Sequence, residues 1–117
     1  MIKVKILIID DEIDYCMIMK GYFQSKNYDV YLGFTLKEGL KILNSIQPDI
    51  LFLDNNLPDG QGWDCVDEIV DGHPSLKIFL ISAYRQKSDY LNPASNITVW
   101  EKPISISQLN TTFAEAG

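Results

Sequence analysis

The chain of 117 residues has the length and composition of one globular domain with a hydrophobic core. It carries 10 Lys and Arg residues against 16 Asp and Glu residues, and the resulting charge of −6 argues against direct binding to a nucleic-acid backbone. Hydrophobic residues make up 46% and charged residues 22%, which excludes intrinsic disorder. No apolar run approaches the about 20 residues of a membrane span. We therefore expect a single cytoplasmic domain over residues 1–117 that does not insert into a membrane.

Five apolar segments recur along the chain and predict five strands, at residues 4–9, 30–34, 50–53, 78–81 and 97–100. Segments with helical patterns separate them, so the elements alternate between strand and helix. The strand segments are continuously apolar, as in Ile6-Leu7-Ile8-Ile9, whereas a sheet with one solvated face alternates polar and apolar residues. These patterns predict a parallel sheet that is covered on both faces.

The first two helices are predicted from apolar periodicity and from capping residues. The first carries apolar residues at the i, i+3, i+4, i+7 and i+8 spacing of one helix face, which we expect to pack in the core: Tyr15, Ile18, Met19, Tyr22 and Phe23. Thr35 followed by Glu38 is a capping box, which predicts the start of the second helix.

The later helices are shorter. The third is expected to begin near Trp63 and to stop before Gly72, and a second capping box, Ser105 with Gln108, predicts a final helix ending at Gly117. Between these two, Pro93 limits a fourth helix to about two turns. We therefore predict about five helices, with the fourth one short.

Polar residues follow four of the five predicted strands. They are Asp10, Asp11 and Glu12 after the first, Asp54 after the third, Ser82 and Ala83 after the fourth, and Lys102 after the fifth. Open parallel sheets bind ligands beyond the carboxyl ends of their strands, so these residues should converge. Two carboxylates about 5 Å apart repel by roughly 3 kcal/mol at an effective dielectric near 20, and a hard cation such as Mg²⁺ relieves that repulsion with oxygen ligands alone.

Together these motifs identify a family resemblance. Asp10-Asp11, Asp54 with Asn56, Leu57, Pro58 and Gly62 behind it, Ser82-Ala83 and Lys102-Pro103 resemble the receiver domain of two-component response regulators, which is CheY-like. The resemblance runs from Lys3 to about Ala116. It implies a flavodoxin-like, doubly wound α/β fold whose five parallel strands lie in the order 2-1-3-4-5.

The resemblance also implies a role for each site residue. Asp54 would accept a phosphoryl group from a sensor histidine kinase, a phosphotransfer protein or a small donor. Asp10, Asp11, Asp54 and the backbone carbonyl of Asn56 would hold Mg²⁺. Ser82, the backbone N–H of Ala83 and Lys102 would contact the phosphoryl oxygens. Such a domain catalyses only its own phosphorylation and dephosphorylation, and it signals to an output domain or a partner protein.

The sequence departs from the family pattern at the switch position. Receivers carry an aromatic residue three places before the lysine, and here that place is taken by Val99. Trp100 is one place nearer to Lys102 and should point to the opposite face of the sheet, because side chains alternate along a strand. Tyr84 is a candidate for shielding the acyl phosphate from water. We expect the signal to leave through an atypical surface around the fourth helix.

Two other classes of protein fit the residues less well than a receiver does. A phosphatase of the haloacid-dehalogenase type needs a second Asp two residues after the nucleophile, where this chain has Asn56, and a flavodoxin phosphate would be repelled by Asp10 and Asp11. A receiver-like docking module that works without phosphorylation stays open. The two cysteines, Cys16 and Cys65, are expected to be reduced and on opposite faces of the sheet.

Overall fold

The apolar segments of the sequence form one parallel sheet in a computed structural model that describes residues 3–83 and 96–113. Its strands are β1 (Lys5–Ile9), β2 (Asp29–Gly33), β3 (Ile50–Asp54), β6 (Lys77–Ser82) and β7 (Ile97–Glu101). They lie in the order β2-β1-β3-β6-β7, and every neighbouring pair is parallel. Counted along the chain this is the predicted order 2-1-3-4-5, so the predicted sheet is confirmed. The order reverses between β1 and β3, which places the expected binding crevice at their carboxyl ends.

Helices cover both faces of the sheet. One face is covered by α1 (Ile13–Ser25) and α4 (Ile106–Phe113), and the other by α2 (Leu36–Ile46) and α3 (Val66–Gly72). The strands bury side chains on both sides, as Ile8 packs with the α1 face and Ile9 with the α2 face. This two-sided burial explains why the strand segments are continuously apolar.

Alternation along β7 separates the two residues of the switch region. Val99 packs against the core on the α2 and α3 face, while Trp100 is buried on the α1 face against Phe52 and Phe79. The predicted opposite orientation of Val99 and Trp100 is therefore confirmed. The same partition puts Cys16 and Cys65 on different faces, and both are free thiols.

The N-cap hydrogen bond of each predicted capping box is present, while Glu38 Oε1 accepts from Phe34 N and not from the backbone N–H of Thr35. The hydroxyl of Thr35 accepts from Glu38 N at 3.1 Å, and the hydroxyl of Ser105 accepts from Gln108 N at 3.0 Å. The third helix differs in detail, because a 3₁₀ turn over Gly62–Cys65 precedes α3. A short antiparallel hairpin of β4 (Asn56–Leu57) and β5 (Gly60–Gln61), with Gly60 at φ +157°, leads from β3 into that turn. The hairpin was not predicted.

One core prediction for α1 is wrong. Ile18 is 63% exposed, whereas the fully buried side chains of this helix are Cys16, Met19 and Phe23. Tyr15 and Tyr22 are half-buried, as expected for the edges of that face. Ile18 follows Cys16 by two residues and is therefore rotated by about 200° around the helix axis. The true core face is offset from the predicted one, and Ile18 lies with Ile13 and Met17 on the exposed side.

Some predictions lie outside the described residues. The short fourth helix, its Pro93 and the shielding residue Tyr84 fall within residues 84–95, and the predicted end of the final helix at Gly117 falls within residues 114–117. The described parts of the chain contain four α-helices, against about five predicted for the whole chain. None of these helices has the length and apolar character needed to cross a bilayer.

Candidate functional site

The carboxyl ends of β1 and β3 bring three carboxylates together. Asp10 follows β1, Asp54 ends β3, and both are buried, while Asp11 is exposed. One oxygen from each carboxylate lies within 4.8 Å of the others. Among the described residues this is the group of acidic side chains whose geometry suits a metal ion. The predicted convergence of Asp10, Asp11 and Asp54 is therefore present, at the point where the strand order reverses.

Lys102 enters this cluster from the end of β7. Its ammonium nitrogen Nζ lies 2.9 Å from Asp10 Oδ2, 2.8 Å from Glu12 Oε1 and 3.7 Å from Asp54 Oδ1. The backbone N–H of Lys102 donates to Ser82 O at 2.8 Å, which ties the ends of β7 and β6 to each other. The same ammonium lies 5.1 Å from the centre of the Tyr15 ring, a cation–π distance.

Burial and like charge shape the titration of these groups. Burial raises the pKa of Asp54 from 3.8 to about 6; the charge of Asp10 adds to this, and that of Lys102 opposes it. Burial also raises the pKa of Asp10, against a hydrogen bond from Glu12 N and the contact with Lys102. For Lys102 burial alone would lower the pKa, but hydrogen bonds to Glu12 and Asp10 outweigh it and raise the pKa. The cluster thus holds negative charge that one ammonium does not neutralise.

The loop after Asp54 is held rigidly to the sheet. Asn55 donates its backbone N–H to Ile81 O at 3.0 Å, and its side-chain Oδ1 accepts from Trp63 N at 3.2 Å. Gly62 N donates to the carbonyl of Asn55 at 3.1 Å. A Cβ atom on Gly62 would overlap the backbone oxygen of Asp54 and lie 2.9 Å from Leu53 Cδ1. Glycine is therefore required at position 62 for the chain to turn back against Asp54.

The tip of the hairpin attaches this loop to α2. Asp59 accepts hydrogen bonds from Leu36 N at 2.7 Å and Lys37 N at 2.9 Å, so its carboxylate caps a helix distant in sequence. These backbone hydrogen bonds lower the pKa of Asp59. No local sequence pattern predicts this cap, because it depends on the tertiary placement of Asp59 beside α2.

The remaining predicted residues lie at the same edge of the sheet. Ser82 is buried at the end of β6 and pairs in register with Glu101, the residue before Lys102. Ala83 follows it and is exposed. Asn56 donates its backbone N–H to the carboxylate of Asp54. Val99 is half-buried on the α2 and α3 face.

Glu12, Tyr15 and Asn55 also contribute to the site, although the sequence predicted only that Glu12 lies at this edge of the sheet and that Tyr15 packs in the core. The sequence contains a hint of the part played by Glu12, because this residue continues the acidic run after β1. No sequence pattern predicts the contacts of Tyr15 and Asn55, because Tyr15 belongs to an ordinary helix pattern and Asn55 to an ordinary strand end. Glu12 is not merely an exposed charge, because its carboxylate forms an ion pair with the ammonium of Lys102, which is distant in sequence.

The donor set fits a hard divalent cation. The three ligand atoms are carboxylate oxygens, which Mg²⁺ prefers, and Mg²⁺ usually completes its coordination with waters. Two of the three carboxylates are buried, so their mutual repulsion is poorly screened by solvent. A divalent cation bound to these oxygens would offset their mutual repulsion.

Comparison with known proteins identifies the family. A family model described as the response regulator receiver domain matches residues 6–113, and the chain belongs to that family. Response regulator SaeR of Staphylococcus epidermidis is 34% identical over 84 residues, which are 72% of this chain and 36% of SaeR. The chain thus spans about a third of the length of that relative. Family membership confirms the predicted receiver domain and does not favour the docking module that works without phosphorylation.

Solved structures agree with this fold. A CheY-like receiver domain protein from Methanospirillum hungatei superimposes with a TM-score of 0.85 at 22% identity, covering 97% of this chain and 92% of that one. TrrA of Thermotoga maritima, crystallised in complex with Mg²⁺ and BeF, has a TM-score of 0.79 at 26% identity, covering 93% of this chain and 95% of that one.

Proposed function

We propose that Asp54 is the phosphoacceptor of this receiver domain. The observation that supports it is the position of the Asp54 carboxylate, buried between an ammonium and an acidic pair at the switch point of the sheet. One Asp54 oxygen attacks phosphorus, a new O–P bond forms, and the P–N bond to a donor imidazole, or the P–O bond to a small acyl donor, breaks. The bond electrons leave with the donor. With a pKa of about 6, Asp54 is mostly ionised at neutral pH and ready to attack.

The acidic residues have a separate role in this proposal. Asp10, Asp11, Asp54 and the backbone carbonyl of Asn56 would hold Mg²⁺, which supplies positive charge against the oxygens of the transferred group. The TrrA complex with Mg²⁺ and BeF supports this proposal by analogy. Asp10 also anchors the loop, since its Oδ1 accepts from Glu12 N at 2.9 Å.

Three groups would contact the phosphoryl oxygens from the other side. Lys102 offers its ammonium 3.7 Å from Asp54, Ser82 offers its hydroxyl, and Ala83 offers its backbone N–H. Phosphoryl transfer requires positioning and charge stabilisation more than covalent chemistry by the protein. An ammonium and two neutral donors at fixed strand ends supply that stabilisation.

The phosphoryl donor in this proposal is the phosphohistidine of a sensor histidine kinase or of a phosphotransfer protein. The recipient of the signal is an output domain or a separate partner protein. SaeR, ZraR of Klebsiella oxytoca and PilR of Pseudomonas aeruginosa are response regulators or transcriptional regulators by name, and this chain matches only 26 to 36% of their length. That partial match supports a receiver whose output lies elsewhere.

Intact mass after incubation with acetyl phosphate tests the proposal. We expect one phosphoryl adduct that requires Mg²⁺ and is lost in Asp54→Asn. Asp64→Asn, which removes an exposed carboxylate from the 3₁₀ turn, is the matched control and should retain the adduct. An adduct that persists in Asp54→Asn, or no adduct in a folded protein with Mg²⁺, would contradict the proposal. In the second case a partner that binds wild type and Asp54→Asn equally would restore the docking-module interpretation.

A further inference from the structure

The ammonium of Lys102 is held away from the proposed phosphoacceptor. It contacts Glu12 at 2.8 Å and Asp10 at 2.9 Å, whereas the nearest oxygen of Asp54 lies at 3.7 Å. The side chain of Lys102 is 13% exposed, so few solvent positions compete with these carboxylates. In the arrangement described, the lysine therefore pairs with its two flanking carboxylates in preference to Asp54.

Within residues 3–83 and 96–113, the carboxylate of Glu12 contacts Lys102 and makes no capping hydrogen bond, although Glu12 is the N-cap residue of α1. Its backbone is fixed instead, since Glu12 N donates to Asp10 Oδ1 at 2.9 Å and Glu12 O accepts from Cys16 N at 3.0 Å. The carboxylate is thus free to reach Lys102, which is 90 residues later in the chain.

The ring of Tyr15 also lies against the ammonium. Its ring centre lies 5.1 Å from Lys102 Nζ, one turn along α1 from Glu12. The ring face attracts a cation without fixing it at one point. Lys102 can therefore move between carboxylates while keeping this contact, and Glu12 biases where it rests.

From this geometry we infer that Glu12 is a positioning residue that competes with a phosphoryl group on Asp54 for the ammonium of Lys102. The inference rests on the proposed function of Asp54. Bringing Lys102 onto phosphoryl oxygens requires it to give up part of its contact with Glu12. Glu12 thus favours the unphosphorylated arrangement and lowers the affinity of the site for a bound phosphoryl group.

The size of the effect follows from the exposure of Glu12. Its side chain is 62% exposed, so the ion pair is partly screened by water. Exposed pairs of this kind correspond to a change of about two- to fivefold in an equilibrium constant. Removing the charge of Glu12 should tighten the binding of a phosphoryl analogue by about that factor.

The test compares Glu12→Gln with the matched control Glu101→Gln. Glutamine keeps the size of the side chain and removes its charge, and Glu101 is an exposed glutamate directly beside Lys102 in sequence. Beryllofluoride affinity is measured by titration calorimetry at one saturating Mg²⁺ concentration. We expect about two- to fivefold tighter binding in Glu12→Gln and a smaller change in Glu101→Gln.

A second measurement follows Lys102 without any phosphoryl analogue. The lysine Cε–Hε signals of ¹³C-labelled protein are recorded, and the Lys102 signal is assigned by its loss in Lys102→Arg. Glu12→Gln should shift the Lys102 signal, and Glu101→Gln should leave it nearly in place. A residue with a merely structural role would not change the environment of one lysine selectively.

The outcomes separate this inference from the proposed function. Equal affinity in wild type and Glu12→Gln, an equal gain in Glu101→Gln, or an unmoved Lys102 signal would each overturn the inference while leaving phosphorylation at Asp54 intact. Failure of wild type to bind beryllofluoride with Mg²⁺ would refute the proposed function, and the inference would fall with it.

Discussion

Asp54→Asn is expected to stabilise the metal-free protein at neutral pH, although it removes the proposed phosphoacceptor. The carboxylate of Asp54 is 3% exposed, and its burial, with the charge of Asp10, raises its pKa from 3.8 to about 6. The pKa of about 6 already includes the opposing effect of the Lys102 charge. Holding a charge at this position is therefore unfavourable in the folded state, and asparagine removes the charge while keeping the shape of the side chain.

The magnitude follows from the pKa shift. A raised pKa in the folded state contributes stability that is fully present below pH 3.8 and is lost as the pH rises through about 6. The difference between a pKa of 3.8 and one of about 6 corresponds to roughly 3 kcal/mol. Water entering the metal-free site lowers this figure, so we expect a gain of about 1 to 3 kcal/mol for Asp54→Asn near pH 8. The gain should shrink as the pH falls and approach zero only below pH 3.8, where Asp54 is neutral in both the folded and the unfolded protein.

Urea unfolding in EDTA at pH 4.5 and pH 8 measures the difference in stability between Asp54→Asn and wild type. These pH values lie about 1.5 to 2 units on either side of the folded-state pKa of Asp54, so its carboxyl group in the fold is mostly neutral at the first and mostly ionised at the second. Fluorescence of the two tryptophans, Trp63 and Trp100, reports unfolding because both are buried. Asp64→Asn serves as the control, since its exposed carboxylate should give the same small change at both pH values. Equal or lower stability of Asp54→Asn at pH 8 would refute the argument that burial makes this charge unfavourable.

Three further predictions follow from the packing around the site. Gly62→Ala should destabilise the fold by about 1 to 3 kcal/mol and slow phosphorylation by acetyl phosphate, because its Cβ would displace the backbone of Asp54; normal stability and rate would contradict this. Asp59→Asn should lower the thermal midpoint at pH 7. The difference from wild type should disappear as the pH falls through the lowered pKa of Asp59, because the wild-type carboxyl group then becomes neutral as well. A difference that does not depend on pH would contradict this. Ile18→Gln should change the free energy of unfolding by less than about 0.5 kcal/mol, while Met19→Gln should cost about 2 kcal/mol or more, and the reverse order in urea unfolding would restore Ile18 to the core.

The exposed position of Ile18 shows why periodicity alone misplaced part of the core. The helix α1 carries two apolar sets, one with Cys16, Met19 and Phe23 and one with Ile13, Met17 and Ile18. Either set satisfies a helical spacing when tyrosines are counted with it. Only packing against the strands decides between them, and the ring of Phe23, 5.6 Å from that of Phe52, lies on the face that is buried.

The site was predictable to the extent that it depends on strand ends. Asp10, Asp54 and Lys102 each follow an apolar strand, and parallel strands end at one edge of a sheet, so their convergence follows from local patterns. Strand order came from the family resemblance, because the patterns alone do not specify neighbours. The cap of Asp59 on α2 and the pairing of Glu12 with Lys102 depend on distances between segments that are far apart in sequence. No local pattern encodes those distances.

The charges of the site connect its stability with its proposed chemistry. Asp10 and Asp54 are buried at an energetic disadvantage that a neutral pair would not have, and one ammonium shared among three carboxylates offsets only part of it. A cation that binds the oxygens relieves the same repulsion that destabilises the metal-free fold, so binding affinity and fold stability are linked. Neutralising Asp10 or Asp54 by substitution should therefore stabilise the metal-free protein and weaken its gain from Mg²⁺. The repulsion between the buried carboxylates affects both folding and ligand binding in this domain, so a substitution that changes this repulsion changes both.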